Sequence, residues 1–179
     1  MKAELQEKVL LYRVQTNKDP DSYAALYDQY VAPVYRFVYF KLSHRQEAED
    51  ATSEIFLKCW QYLTSSSGKE IRNFRSLIYA IARNKVVDIY RERARRKEDS
   101  LDTVDESDDG LAKHFLELST ENERLLQVIK KLKQEYQEVI LFKYIEDLSV
   151  TEIARMTGKS AIGVRVTLHR ALKKLRELL

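Results

Sequence analysis

The sequence predicts an all-α protein of two small helical domains joined by a flexible acidic linker. Three observations support this prediction. Apolar residues recur at spacings of three and four along most of the chain, which is the period of an amphipathic helix. Strand-type alternation is hard to find, and the 179 residues include only four Gly and two Pro. The formal net charge of +3 conceals an abrupt change of sign after residue 97.

This change of sign divides the chain. The stretch "RERARRK" (91–97) holds five basic residues and one Glu, whereas "EDSLDTVDESDDG" (98–110) holds seven acids and no base. The acidic stretch lacks helical periodicity and ends at a glycine, which is typical of a solvated linker. We therefore expect a first domain over 1–96, a linker over 97–112 and a second domain over 113–179.

Composition also narrows the function classes. No run approaches the roughly 18 apolar residues of a membrane span, and the N-terminal residues lack the apolar core of a signal peptide, so a cytoplasmic protein is predicted. The single cysteine, Cys59, lies in a helical pattern and is predicted to be a small core residue. The three histidines are scattered, and no catalytic triad, metal cluster or phosphate-cradling glycine loop is visible. We therefore predict no enzyme activity, no metal and no cofactor.

The first domain is predicted to begin with aromatic-rich helices over 19–63, in which Pro33 kinks the chain or starts a second helix. Seven aromatic residues recur there at helical intervals, and most of these seven are expected in the core; they are Tyr23, Tyr27, Tyr30, Tyr35, Phe37, Tyr39 and Phe40. A following helix is predicted to bury Ala48, Ala51, Ile55, Cys59 and Tyr62. Its opposite side carries Glu47, Asp50 and Glu54. Such an acidic stripe is usually solvated, but beside DNA-binding elements it would repel phosphate, which suggests a protein partner.

Residues 65–96 are predicted to start as a flexible Ser/Gly loop and to continue as a basic helix. Its apolar side is expected to contain Phe74, Leu77, Ile78, Ile81 and Ile89. Basic residues surround that side and alternate with Phe74, Tyr79 and Tyr90; they are Arg72, Arg75, Arg83, Lys85 and the 91–97 cluster. Cations mixed with aromatic rings suit single-stranded nucleic acid, although this signal is weak when taken alone.

The second domain shows a helix-turn-helix pattern. Two amphipathic segments come first, with predicted apolar positions Leu125, Val128, Ile129, Leu132, Tyr136, Val139, Ile140, Leu141, Phe142 and Tyr144. Ser149 and Glu152 then form a capping box that starts a short helix, whose apolar positions are Ile153, Ala154 and Met156. Gly158 suits the left-handed turn that ends this helix, and Ser160 can cap the next one. A short helix, a tight turn and a longer basic helix predict DNA binding.

The last helix has two faces. Its predicted apolar stripe comprises Val164, Leu168, Ala171, Leu172, Leu175 and Leu179. The outer face carries Arg165, Val166, His169 and Arg170, with Lys173 one turn further along. An ordinary solvated face is one interpretation. A major-groove contact is the other, because a groove-bound helix offers its N-terminal turns to base edges while its cations neutralise phosphates.

Three stretches in order resemble the extracytoplasmic-function (ECF) subfamily of bacterial RNA polymerase sigma factors. "EAEDATSEIFLKCW" resembles the helix that docks on the clamp helices of the polymerase β′ subunit. "FRSLIYAIARNKVVDIYRERAR" resembles the helix that recognises and opens the minus-ten element. "LKQEYQEVILFKYIEDLSVTEIARMTGKSAIGVRVTLHRALKKL" resembles the domain that reads the minus-thirty-five element. The chain departs from the common pattern at Ser53 (usually Gln), Leu77 (usually Trp), 161–164 (usually V-G-T-V) and 166–167 (usually Ser-Arg).

The resemblance implies a function and its residues. It implies a sigma factor that binds core RNA polymerase through the β′ clamp helices and the β flap, recognises both promoter elements, and is held by an anti-sigma factor. Residues 64–73 match a loop that receives a flipped base, and Asn84 matches a residue that lines its pocket. The implied polymerase-binding residues are Glu47, Asp50, Ser53 and Glu54. The implied minus-ten contacts are Lys69, Arg72, Asn73, Arg75, Arg83 and Asn84. The implied minus-thirty-five contacts are Ser160, Arg165, Val166, His169, Arg170 and Lys173.

Two other interpretations stay open at this point. A helix-turn-helix regulator could bind DNA without being a polymerase subunit, and a helical interaction module could carry basic faces incidentally. The acidic stripe and the Arg/aromatic helix argue against the regulator, which needs neither. Stoichiometric binding to core polymerase together with promoter-specific transcription would separate the three.

Overall fold

The computed structural model describes residues 2–65, 71, 73–99 and 120–179, and their side chains over 5–65, 71, 73–96 and 124–179. Within these residues every regular element is helical, which confirms the predicted all-α class. The chain forms two compact units, Met1–Asp108 and Asp109–Leu179. The first contains α1 (Lys2–Asn17), α2 (Pro20–Leu42), α3 (Arg45–Thr64) and α4 (Phe74–Asp99). The second contains α5 (Thr120–Lys130), α6 (Gln134–Ile140), a π-helical turn (Leu141–Ile145), α7 (Val150–Thr157) and α8 (Ala161–Leu178).

The boundaries of α2 follow from the residues at its two ends. Asp19 caps α2 and Pro20 occupies its first turn, where a missing N–H costs least. The predicted start of a second helix at Pro33 is wrong, because Pro33 lies inside α2. Tyr30 and Val34, before and after Pro33, are 6% and 0% exposed, and their burial stabilises the helix across the one hydrogen bond that Pro33 cannot donate. The break comes instead at Ser43, which has a left-handed backbone (φ 58°).

The core of the first unit is aromatic, as predicted for most of the seven residues, although Tyr27 is 40% exposed. The buried stripe of α4 differs from the prediction. Phe74 packs edge-on against Tyr23 and at a tilt against Tyr30, and Phe37 meets Tyr79 edge to face. Phe74 and Tyr79 are 0% and 1% exposed, so two of the three rings that alternate with the cations of α4 are core residues and cannot stack on nucleic-acid bases. Among the residues of α4 whose side chains are described (74–96), the buried ones are Phe74, Ile78, Tyr79, Ala82 and Val86.

Other predicted core positions lie at the edge. Leu77, Ile81 and Ile89 are half-buried, and Tyr62 is exposed while Leu63 takes its place in the core. Cys59 is fully buried, which confirms its prediction, and burial raises the pKa of its thiol to about 12. The small differences reflect one helical position of rotation, which sequence periodicity alone does not resolve.

Helix α4 closes the end of α2. The Tyr90 hydroxyl donates to the carbonyl of Lys41 (2.5 Å), and the Arg93 guanidinium donates to the carbonyl of Leu42 (3.4 Å). Carbonyls at a helix C-terminus lack partners inside their own helix. The last turn of α2 is therefore satisfied in part by side chains about fifty residues later in the sequence.

The second unit contains an irregularity that the sequence did not predict. Residues Leu141–Ile145 form a π-helical turn, so the backbone N–H of Glu146 bonds to the carbonyl of Leu141 (3.0 Å). The wider turn changes which side chains face inward. Phe142 and Leu148 are buried, whereas Tyr144, predicted to share the apolar face, is 59% exposed.

The helix-turn-helix prediction is confirmed in its local details. The Ser149 hydroxyl accepts the N–H of Glu152, whose carboxylate accepts the N–H of Ser149, so the capping box is complete. Helix α7 ends at Gly158 in the left-handed conformation (φ 69°), and the Ser160 hydroxyl caps α8 by accepting the N–H of Gly163 (3.0 Å). Both helix ends at the turn are therefore satisfied from within the chain.

Candidate functional site

The outer face of α3 carries the residues predicted to bind polymerase. Asp50, Ser53 and Glu54 are exposed, and Glu47 is half-buried at the start of the helix. Their spacing of three and four places them along one side of α3. The Ser53 hydroxyl bonds to the carbonyl of Glu49 (3.0 Å), which is the helix's own backbone.

Two of these acids form ion pairs with α4. Glu47 pairs with Arg93, and Glu54 pairs with Lys85. Both pairs are partly exposed, so each contributes only about 0–1 kcal/mol to stability. Lys85 was predicted to be one of the basic residues of α4, but its pairing with the acidic stripe was not predicted. Asp50 belongs to neither of these two pairs, so a change of its charge leaves both of them intact.

The same face also contains an apolar residue that the sequence analysis missed. Leu57 is 57% exposed and lies one turn after Ser53 and Glu54. Leu57 follows Ser53 by four residues and Glu54 by three, so helical spacing alone could have placed it on the same face. An exposed leucine beside exposed acids gives α3 a mixed apolar and acidic surface, here called the α3 surface (Asp50, Ser53, Glu54, Leu57).

The residues predicted to contact the minus-ten element occupy different environments. Lys69 and Arg72 lie outside the described residues. Asn73 is exposed, and its side-chain oxygen accepts the N–H of Ser76 (2.8 Å), which caps the first turn of α4. Further along α4, Arg83 is half-buried and Asn84 is exposed. The structure thus leaves Asn84 accessible on α4, next in sequence to the Lys85–Glu54 pair.

Arg75 is partly buried in a polar cluster of its own. The Tyr30 hydroxyl donates to the carboxylate of Glu7 on α1 (2.5 Å), and Arg75 interacts with both residues. Burial lowers the pKa of Arg75, but the hydrogen bond with Tyr30 and the charge of Glu7 raise it more, so the net shift is upward. Burial and Glu7 also raise the pKa of Tyr30 to about 12. Arg75 is therefore engaged with α1 and α2.

The predicted outer face of α8 is exposed along its length. Arg165, Val166, His169, Arg170 and Lys173 are all exposed, and Ser160 is exposed at the cap. On the opposite side the stripe Val164, Leu168, Ala171 and Leu175 is buried and Leu172 is half-buried, whereas Leu179 is 76% exposed. Leu179 follows the last helical residue, Leu178, so the stripe ends one turn earlier than predicted.

Ile162 was not singled out by the sequence analysis. It is 71% exposed in the first turn of α8, four residues before Val166, which is 43% exposed. The same i, i+4 spacing puts the two side chains next to each other on the outer face. A pair of exposed branched apolar side chains can contact a thymine methyl group in a major groove.

A polar contact fixes α8 against α6. Lys159, in the turn, pairs with Glu135 at 2.6 Å, and the Thr167 hydroxyl lies 3.4 Å from the same carboxylate oxygen while donating to the carbonyl of Gly163. The hydrogen bond from Lys159 lowers the pKa of Glu135 below its ordinary value. These contacts come from the side of α8 opposite the exposed cations.

The side chains of the described residues contain no group of three or more His, Cys, Asp or Glu that could hold a metal ion. None of their helices combines the length and apolar character needed to cross a membrane.

Two known sequence families match separate parts of the chain, one within each compact unit. The family described as "Sigma-70 region 2" matches residues 26–96, and "Sigma-70, region 4" matches residues 122–175. The chain is 32% identical over 174 residues to the ECF RNA polymerase sigma factor BldN of Streptomyces coelicolor, covering 95% of this chain and 64% of BldN. It is 30% identical over 176 residues to the ECF RNA polymerase sigma factor SigW of Bacillus subtilis, covering 90% of each.

Solved structures share the fold at lower identity. CnrH, solved in complex with the cytosolic domain of CnrY, aligns with a TM-score of 0.72 and 22% identity over 97% of this chain and 96% of its own. The sigma factor RpoE of Bartonella quintana, solved with the anti-sigma factor NepR, aligns with a TM-score of 0.64 and 17% identity over 87% and 94%.

Proposed function

This chain belongs to the ECF family of RNA polymerase sigma factors, and from that premise we propose that it binds core RNA polymerase and directs transcription initiation at specific promoters. Its role is binding and DNA recognition, with no chemistry of its own, and it acts where polymerase acts, in the cytoplasm. The observation that carries the proposal is the coexistence of two unlike exposed surfaces in one chain. One is the acidic and apolar α3 surface, and the other is the basic outer face of α8.

The α3 surface suits a protein partner. Its acids would repel DNA phosphates, whereas they attract a basic protein surface and orient its approach. Leu57 adds an apolar contact that can be buried in an interface. We assign this surface, with Glu47 at its N-terminal end, to the β′ clamp helices of core polymerase.

The outer face of α8 suits duplex DNA. Its three exposed cations, Arg165, Arg170 and Lys173, can neutralise phosphates. Ile162, Arg165 and Val166 lie in the turns nearest the helix N-terminus, from which a recognition helix reads bases. We assign this face to the minus-thirty-five element. The second unit would also meet the β flap of polymerase.

The minus-ten element is assigned to the first unit. The proposed contacts are the loop over 64–73 and the basic residues of α4, with Asn84 beside the pocket for a base that is flipped out of the non-template strand. A flipped base can be read on its Watson–Crick edge by an exposed amide such as that of Asn84. Arg75, which is tied to Tyr30 and Glu7, is assigned a supporting part in this surface rather than a leading one.

An anti-sigma factor is the third proposed partner, beside core polymerase and promoter DNA. RpoE of Bartonella quintana was solved with an anti-sigma factor and shares the fold of this chain. A protein that occupied either exposed surface would keep the chain from polymerase or from DNA.

The test is reconstitution. The purified chain is passed over immobilised core polymerase and then used, with core enzyme, for run-off transcription from a promoter library. We expect stoichiometric binding and transcription confined to a defined promoter class. Asp50→Lys is expected to weaken core binding and to leave binding of minus-thirty-five DNA by the chain alone unchanged. Binding to DNA without binding to core polymerase would refute the proposal and indicate a helix-turn-helix regulator instead.

A further inference from the structure

Two branched apolar side chains lie at the centre of the exposed face of α8. Ile162 is 71% exposed and Val166 is 43% exposed. At 3.6 residues per turn the two residues lie about 40° apart around the helix axis, and both lie within about 30° of the direction opposite the buried stripe of this helix. The part of α8 that faces furthest away from the core of the second unit is therefore apolar in its first two turns.

Cations flank this pair. Arg165 lies on one side of it and Arg170 on the other, and both are exposed. When a helix enters a major groove, the centre of its outer face approaches the base edges, and the flanks approach the phosphates that border the groove. The long side chain of Arg165 can reach either, whereas Ile162 and Val166 offer nothing to a phosphate. Their place between two cations is therefore that of a base contact.

The two side chains are held in position before any DNA is bound. The Ser160 hydroxyl accepts the N–H of Gly163 (3.0 Å), which fixes the first turn of α8, and Val164 is 0% exposed and anchors that turn in the core. Isoleucine and valine are both branched at Cβ, so in a helix each keeps largely one rotamer. Because little side-chain freedom remains to be lost, a contact made by this pair is preorganised.

The chemistry of the pair selects one base. Thymine carries a methyl group in the major groove, whereas the edges of adenine, guanine and cytosine present hydrogen-bond donors and acceptors there. An apolar side chain against a polar edge removes water without replacing its hydrogen bonds, which is unfavourable. The pair is therefore attracted by a thymine methyl group and discriminates against the other three bases.

We propose that Ile162 and Val166 determine specificity in the minus-thirty-five element by contacting the methyl group of a thymine, with Ile162, the more exposed of the two, making the larger contribution. This inference rests on the proposed sigma function and deepens it, because it names a chemical group that the element must carry on one of its strands. The contact is separate from any hydrogen bond that Arg165 makes to a base. Loss of the pair is expected to relax the choice at one base pair only.

The experiment uses holoenzyme assembled from the full chain and core polymerase. The parent holoenzyme first selects a promoter duplex from a library randomised over the minus-thirty-five element. Each thymine of the selected element is then replaced, one at a time, by deoxyuridine, which forms the same base pair but lacks the methyl group. The measured quantity is the ratio of the affinities for the thymine and deoxyuridine duplexes, so a uniform change in affinity cancels.

The variants are Ile162→Ser and Val166→Ser. Leu179→Ser is the matched control, because Leu179 is 76% exposed just after the other end of α8. The thermal midpoint of each variant is measured in parallel and is expected to stay close to the parent's, because exposed side chains contribute little to stability.

For the parent we expect one thymine at which deoxyuridine weakens binding about fourfold, the scale of one methyl group removed from an apolar contact. At that position Ile162→Ser should bring the ratio close to one, Val166→Ser should give an intermediate ratio, and Leu179→Ser should match the parent.

Two results would overturn the inference. One is a selected element without a fixed A·T pair, or equal parent affinity for every deoxyuridine duplex, which would indicate that Ile162 and Val166 face a protein partner or solvent. The other is a ratio that both serine variants leave at the parent's value, because another residue would then make the methyl contact. Failure of the parent chain to bind core polymerase would instead refute the proposed function.

Discussion

Two cations on α8 are expected to respond differently to truncation, although both are exposed. Arg165 is the fifth residue after the cap Ser160 and lies in the second turn. Lys173 lies eight residues further, which is about 12 Å along the axis at the α-helical rise. Because a recognition helix enters the groove with its N-terminal residues, Arg165 can reach a base edge, whereas Lys173 can reach only phosphate or solvent.

The expected magnitudes follow from these positions. A bidentate contact from Arg165 to guanine contributes about 1–3 kcal/mol of discrimination, so Arg165→Ala should reduce the preference for that base by about 5- to 150-fold. Lys173→Ala should weaken binding to all sequences alike and lower the salt slope by about one. Neither change should unfold the chain, because truncating an exposed side chain alters stability by no more than about 0.5 kcal/mol.

The assay is binding of the parent and both variants to a duplex library randomised over the minus-thirty-five element, at two salt concentrations. Lys174→Ala is the control for loss of charge on the same helix, because Lys174 is exposed and bonds to Glu177 within α8 (2.9 Å). An unchanged sequence preference for Arg165→Ala would refute the reasoning. It would mean that another residue or another face of α8 reads the bases.

Three further predictions concern ion pairs and caps. Glu54→Lys should weaken core binding, and adding Lys85→Glu should restore the pair between α3 and α4 but not core affinity in a titration; full rescue would mean that Glu54 acts only within the chain. Ser149→Ala should remove about 1 kcal/mol of stability through the lost cap, seen as a lower thermal midpoint of the second unit. The pKa of Glu135 is lowered by Lys159, so its contribution to stability is present above pH 4.5 and is lost as the pH falls through the lowered folded-state pKa. Urea unfolding should therefore show a smaller loss of stability on acidification for Glu135→Gln than for the parent, and equal losses would contradict this sign.

Features set by neighbouring residues were predictable from the sequence. The capping box at Ser149, the left-handed turn at Gly158 and the cap at Ser160 all follow from residue types within a few positions of one another. The exposed face of α8 follows from a regular period with no interruption. These are the parts of the second unit on which the assignment to DNA depends.

Features set by distant residues were not predictable. The π-helical turn rotates Tyr144 outward, and no local sequence motif predicts such a turn. Helix α1 was not predicted at all. The hydrogen bonds between the Gln15 side-chain amide and the backbone of Ile71 join residues that are 56 positions apart in the sequence. The acids of α3 were assigned to one side of that helix correctly, but their pairing with α4 depends on how two helices pack, which periodicity does not specify.

The closure of α2 by α4 has a consequence for synthesis. Until Tyr90 and Arg93 have been synthesised, the carbonyls of Lys41 and Leu42 lack these two donors and can bond only to water, so the last turn of α2 is less stable when it leaves the ribosome. Contacts that span about fifty residues form late, because the intervening chain must first be ordered. The nascent first unit therefore stays unfinished until α4 has emerged. Its fold is completed only after Tyr90 and Arg93, the latter in the basic 91–97 cluster, have been translated.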